Sequence, residues 1–174
     1  MASSPHLSEE AATAAQAAAR DHLLLAAWRK IVIGETNCPV LALELGAACG
    51  GGAAATHGAI LAFVTALAYA GRRRLRVGTP GCPGITRDER QLLDLVAAAQ
   101  DGAETAVEAH LRWLTHPELR AAVVVATAAL AAVLTAQHLT VRQPQAPARP
   151  DRGCALCLCS AATPGDVVVA GTMI

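Results

Sequence analysis

The stretch TRDERQLLDLVAAAQDGAETAVEAHLRWLTHPEL, residues 86–119, carries the strongest local structural signals in this chain. Thr86 followed by Glu89 fits a capping box, in which each side chain accepts a hydrogen bond from the other residue's backbone N–H at a helix start. Asp101 and Thr115 are also each followed by a glutamate three positions later. We therefore predict three successive helices, capped by the side chains of Thr86, Asp101 and Thr115.

Apolar residues recur at spacings of three and four after these caps, which is the period of a helix that buries one face. Upstream, Ser8–Ile33, Val40–Ala48 and Ala53–Ala70 also have helical composition. Between them, Gly50–Gly52 should hold no regular element, because glycine disfavours ordered backbone. The pattern predicts an all-α fold, a compact bundle of about five helices around an alanine-rich core.

The length of 174 residues fits one domain followed by a short tail. Residues 142–153 are rich in proline and should form an extended linker. We therefore divide the chain into a helical domain over residues 1–141, this linker, and a cysteine-containing tail over residues 154–174. Leu75–Val77 and Val167–Val169 are strand-like runs that could pair as a minor two-stranded element, the alternative being a disordered tail.

The charge balance argues against nucleic-acid binding. Fourteen basic residues face 14 acidic ones, and charged residues make up only 16% of the chain. Such a chain has no overall field to attract phosphates. Aromatic residues, at 2%, leave little to stack on bases. We therefore expect no nucleic-acid partner.

The N-terminal residues predict a cytoplasmic protein, because they contain Glu9 and Glu10 and lack the basic region of a secretory signal. Two apolar segments invite comparison with membrane spans. Ala53–Gly71 is about long enough and ends before an arginine run, but polar residues interrupt it, whereas Ala121–Ala136 is too short. Both are better interpreted as core helices, with a membrane protein anchored through Ala53–Gly71 as the third alternative for function.

The tail holds the only concentrated set of metal-ligating residues, Cys154, Cys157 and Cys159. Thiolates at this spacing can share a soft metal ion such as zinc. A closed tetrahedral site would need a fourth ligand from the body of the protein or from a second chain. The alternative is a tail with reduced, inactive thiols, as expected in the cytoplasm.

Cys82 is a candidate reactive thiol. It lies in a Gly-Cys-Pro-Gly turn shortly before a predicted helix, whose dipole can lower a thiol pKa. A nucleophile also needs a base, and the sequence does not place His57, His110 or His116 beside it. The alternative is a small apolar residue that fills a tight turn.

No catalytic or cofactor-binding residues are predicted. Asp88 and Glu89 are adjacent on a helix, so their side chains should point in different directions rather than form a catalytic pair. Arg72–Arg74 and Arg76 could hold a phosphate, but they also complement the negative end of the preceding helix as hydrated charges, which we prefer. Gly50–Gly52 lacks the Gly-Lys-Ser/Thr ending of a phosphate-binding loop.

One segment resembles uncharacterised helical proteins of alphaproteobacteria. The resemblance rests on Gly81-Cys82-Pro83-Gly84, Thr86, Asp88-Glu89, Leu92-Leu93 and Gln100-Asp101-Gly102, about a fifth of the chain. It implies a helical fold and no particular activity, substrate or catalytic residue.

These observations favour a non-catalytic, helical interaction or regulatory module. Alanine-lined surfaces left exposed after folding would bind another protein or a second copy of the chain as a homodimer. The alternative is a metal-binding or thiol-dependent protein that uses the C-terminal cysteines.

Overall fold

The computed structural model describes residues 23–82 and 84–141, and it is an all-α bundle, as predicted. Helix α1 covers residues 23–32 of the described chain. The helices that follow are α2 (Pro39–Cys49), α3 (Ala53–Ala70), α4 (Arg87–Gln100), α5 (Glu104–Leu114) and α6 (Arg120–Ala136). Short 3₁₀ turns at Gly50–Gly52 and Pro117–Leu119 precede α3 and α6. No strand occurs in these two described ranges.

The capping box that opens α4 is confirmed. The backbone N–H of Glu89 donates to Thr86 Oγ1 at 3.1 Å, and the backbone N–H of Thr86 donates to Glu89 Oε2 at 2.8 Å. Leu92, Leu93 and Val96 follow on the buried side of the helix. The local sequence therefore determines both where α4 starts and which face enters the core.

The predicted caps at Asp101 and Thr115 were wrong. Asp101 closes α4, where its backbone N–H donates to Ala97, and α5 begins after Ala103 without a side-chain cap. The Thr115 hydroxyl donates back to the carbonyl of Leu111 at 2.7 Å. In both cases the residue is the C-cap of the preceding helix, so its side chain is not placed to cap the next one.

The expectation that Gly50–Gly52 holds no regular element was also wrong. Gly50 has a φ of 53° and ends α2, which suits glycine. Gly52 has a φ of −84° and a ψ of −3°, close to helical values. The three residues therefore form one tight 3₁₀ turn that leads directly into α3.

Helices α3 and α6 lie side by side and antiparallel. At one end, the backbone N–H of His116 donates to the carbonyl of Ala70 at 2.8 Å. At the other end, Gly52 lies so close to the side chain of Gln137 that a Cβ would clash with it. The end of α6 is therefore adjacent to the start of α3.

Helix α1 forms the centre of the core, with Leu24, Leu25, Trp28 and Ile31 buried. The ring of Trp28 tilts against that of Phe63 in α3, with centroids 5.8 Å apart. Further along, Leu24 lines one small cavity together with Ile60 of α3 and Leu134 of α6. Helix α1 thus contacts α3 through Trp28 and shares a cavity with both α3 and α6.

Several predictions concern residues outside the described ranges. These are the helix start at Ser8, the linker over residues 142–153, the tail over residues 154–174 and the strand-like run Val167–Val169. Leu75–Val77 is described and forms no ladder with other described residues. Its pairing with the tail stays a prediction.

Candidate interaction face and polar clusters

The most heavily bonded polar group of the described chain is a buried ion pair between α1 and α4. The Nε atom of Arg29 donates to Glu89 Oε1 at 2.7 Å, and its Nη2 atom donates to Oε2 at 2.9 Å. Both side chains are almost fully buried. This two-point geometry is the strongest form of arginine–carboxylate pair.

The same pair holds the loop that precedes α4. The Arg29 guanidinium also donates to the backbone carbonyls of Cys82 at 2.5 Å and Gly84 at 2.6 Å. Glu89 accepts a further hydrogen bond from the N–H of Gly78 at 2.9 Å. Every polar atom of the pair therefore has a partner, which offsets the cost of burying two charges.

These contacts set the ionisation of Glu89. Burial alone would raise its pKa, but hydrogen bonds from Arg29 and from the backbone N–H groups of Thr86 and Gly78 outweigh burial and hold the pKa below its usual value. The carboxylate is therefore charged near neutral pH. Both of its oxygens accept hydrogen bonds from Arg29 and from backbone N–H groups of the loop, so its role is structural.

A second carboxylate fixes the arginine run to α4. Asp88 accepts hydrogen bonds from Arg73 Nη1 and Nη2 at 3.0 and 2.8 Å, and from the backbone N–H of Arg76 at 2.7 Å. Asp88 and Glu89 bind different partners, as expected for adjacent side chains that point in different directions on a helix. We expected Arg72–Arg74 and Arg76 to be hydrated charges. Arg73 differs from this expectation, because its guanidinium is bound to the Asp88 carboxylate.

The metal prediction and the thiol prediction both stay predictions. Cys154, Cys157 and Cys159 lie outside the described residues, so the zinc site stays a prediction. Within the part of the chain that is described, no group of three His, Cys, Asp or Glu residues could hold a metal ion. Cys82 is half-buried, and the helix that follows it starts only at Arg87. Its reactivity also stays a prediction.

Cys38, which the sequence suggested only as a possible fourth ligand for the tail cysteines, was not predicted as a reactive thiol. It occupies the N-cap position of α2, followed by Pro39 in the first turn. The Lys30 ammonium donates to Cys38 Sγ at 3.3 Å. The backbone N–H of Leu41 and then Lys30 lower the pKa of the thiol, because both favour the thiolate.

The surroundings of Cys38 form an open cleft of about 340 Å³ between α2 and α3. His57 lines the same cleft, so this histidine shares a cavity with Cys38. The dipeptide Cys38-Pro39 was the available signal, since proline favours the first position of a helix and would have placed the cysteine at its cap.

An uncharged face on α3 and α6 is an unusual surface of the described bundle. We define the outer face as the exposed residues Ala55, Gly58, Ala62 and Thr65 of α3 with Ala121, Val125, Ala128, Ala132 and Ala136 of α6. Neither 53–70 nor 121–136 contains Asp, Glu, Lys or Arg. A surface helix normally places charged residues opposite its buried stripe, so both helices depart from that pattern.

The outer face lies on one side of the bundle. The two helices run side by side, and on each helix the residues of the outer face lie opposite the buried stripe. Val125 is 69% exposed, which is high for a valine in a folded domain. The outer face therefore presents mostly small, uncharged side chains to solvent.

Two helical stretches, Pro39–Ala70 and Pro117–Ala136, are long and apolar enough to cross a bilayer by length and composition. Core helices of soluble proteins meet the same criterion. In each stretch, 28% of the most apolar window is buried inside the bundle.

Comparisons of the chain with protein-family models, with curated proteins and with solved structures give no match.

Proposed function

We propose that the chain is a non-catalytic interaction module that self-associates through the outer face of α3 and α6. The observation that carries this proposal is the absence of charge along both helices, combined with exposed small apolar side chains at helical spacing. Removing such a face from water is favourable, and small side chains allow two helix surfaces to approach closely.

A second copy of the chain fits this face better than an unrelated charged surface does. A two-fold interface brings the same patch of both subunits together, so the patch must be compatible with itself. The outer face satisfies this condition because it has no charge to repel its own copy and no large side chain to block contact.

The size of the face indicates a weak, concentration-dependent dimer. Each helix is roughly 25 Å long, and neighbouring helix axes lie about 9 Å apart. Two helices therefore offer on the order of 500 Å² per protomer, or about 1,000 Å² in total, which is the lower limit for a specific interface.

Sedimentation equilibrium of the full chain across a wide range of protein concentration tests the proposal. We expect the average mass to rise from monomer to dimer as the concentration increases. Ala132→Arg should abolish this rise, because an arginine would have to lose its hydration within the interface. Ala47→Arg makes the same change at an exposed position of α2 and should leave the association unchanged.

A chain that stays monomeric at every concentration would refute self-association. An equal effect of both arginine variants would show that the outer face is not the interface. Circular dichroism of both variants verifies that they fold.

A further inference from the structure

We infer that one end of the bundle is a docking surface for an anionic lipid bilayer. At this end α3 and α5 finish and α4 and α6 begin. Two contacts hold these segments together. The N–H of Arg72 donates to the carbonyl of Leu114 at 3.1 Å, and Arg73 binds Asp88 at the start of α4. We name this region the basic end.

The basic end concentrates unneutralised positive charge. Arg72, Arg74, Arg76, Arg87 and Arg112 are exposed there, and none of them forms a salt bridge with a carboxylate of the described residues. By contrast, the opposite end, where α4 turns into α5, carries Asp101 and Glu104. The basic end also carries one exposed carboxylate, Glu118, which five exposed arginines outnumber, so this end is net positive.

Exposed aromatic side chains accompany the arginines. Tyr69, in the last turn of α3, is 74% exposed, and Trp113, in the last turn of α5, is 75% exposed. Leu119, just before α6, is 43% exposed. Tyrosine and tryptophan prefer the boundary between lipid headgroups and acyl chains, because their rings are apolar at one edge and polar at the other.

The combination favours a bilayer over a nucleic acid. Both surfaces attract arginine, but the exposed residues that lead from the basic end into α6, Leu119 and Val124, are uncharged and apolar. A phosphate backbone would meet no further hydrogen-bond donors there, whereas the boundary region of a bilayer accommodates such side chains. Surface potential from anionic lipids supplies the complementary charge.

Flotation of the full chain with vesicles tests the inference. We expect binding to vesicles of phosphatidylcholine with phosphatidylglycerol, little binding to phosphatidylcholine alone, and release at high salt, because salt screens exposed charges. The triple variant Arg72→Gln, Arg74→Gln, Arg112→Gln should bind anionic vesicles roughly 100-fold more weakly, from a contribution of about 1 kcal/mol per arginine.

Three further variants separate the effect of charge from that of apolar insertion. The corresponding triple Arg→Lys variant keeps the charge and should retain binding, because a lipid surface responds to charge rather than to guanidinium geometry. Trp113→Ser should reduce binding about tenfold through the loss of apolar insertion. Leu43→Ser removes an equally exposed apolar side chain from α2 and should have no effect.

Equal binding to neutral and anionic vesicles would overturn the inference, as would an unchanged affinity of the Arg→Gln variant. Binding of a single-stranded oligonucleotide without any binding to anionic vesicles would assign the basic end to nucleic acid instead. Ala132→Arg changes the outer face and no residue of the basic end. It should therefore abolish self-association without abolishing binding to anionic vesicles, which separates the two proposals.

Discussion

Arg29 and Glu89, which are 60 positions apart in sequence, form a buried two-point ion pair with contacts of 2.7 and 2.9 Å. The pair joins the central helix α1 to the start of α4 and holds the intervening loop through backbone carbonyls. It is a structural element of the fold, and the stability of the domain should depend on it.

Glu89→Ala should lower the free energy of unfolding by about 3–5 kcal/mol, because it leaves the Arg29 charge buried without a counter-ion. Urea denaturation measures the change. Glu108→Ala is the control, since Glu108 also pairs with an arginine but is 44% exposed, and it should cost no more than about 1 kcal/mol. Similar losses in both variants would contradict a special role for the buried pair.

Stability should fall in acid. The pKa of Glu89 and that of Asp88 are both held below their usual values, Asp88 against the effect of burial by Arg73 and the N–H of Arg76. A depressed pKa adds stability at pH values above the unfolded pKa of about 4, and this is lost as the pH falls through the folded pKa. Urea midpoints measured between neutral pH and about pH 3 should show the decline, and Asp88→Asn should flatten it.

Cys38 should react with thiol reagents faster at neutral pH than an ordinary cysteine. Lys30→Met should slow the reaction by raising the thiol pKa, whereas Lys30→Arg keeps the charge and should slow it less. Peptide mass spectrometry after timed alkylation of the native full chain gives the rate at each cysteine. Buried Cys49 provides a slow reference in the same molecule. A rate at Cys38 that does not respond to Lys30→Met would contradict the expected thiolate stabilisation.

Two glycine-to-alanine changes should have opposite effects. A Cβ at Gly78 would lie 2.8 Å from Arg29 Nη2, and the guanidinium cannot move without breaking its hydrogen bonds, so Gly78→Ala should cost about 1–3 kcal/mol. Gly46 in α2 has open space around its Cβ position, and Gly46→Ala should add about 0.5–1 kcal/mol of stability. Thermal unfolding followed by circular dichroism compares the two variants, and the same sign for both would contradict the proposed geometry.

The zinc prediction for the tail is tested by metal content. If Cys154, Cys157 and Cys159 bind zinc, the reduced, tag-free chain should carry close to one metal ion, and replacement of all three by serine should remove it. Elemental analysis per chain gives the answer. A metal-free wild-type chain would favour the interpretation of the tail cysteines as inactive thiols.

Local signals in the sequence determined much of the fold. The Thr86–Glu89 capping box predicted the start of α4, and the apolar, helix-favouring composition of Ala53–Ala70 predicted a helix there, because both signals lie within the segment itself. The same reasoning failed at Asp101 and Thr115. There the three-residue spacing to a glutamate was present, but each residue is the C-cap of the preceding helix. The spacing alone does not show where the preceding helix ends.

Only the tertiary structure decided which polar groups meet. The partner of Glu89 comes from a helix 60 positions away, and no local pattern marks Arg29 for burial. Likewise, the sequence shows that 53–70 and 121–136 lack charge, but it does not show which stripes remain exposed. That depends on how the helices pack around α1, since burial is a property of the assembled bundle and not of any single segment.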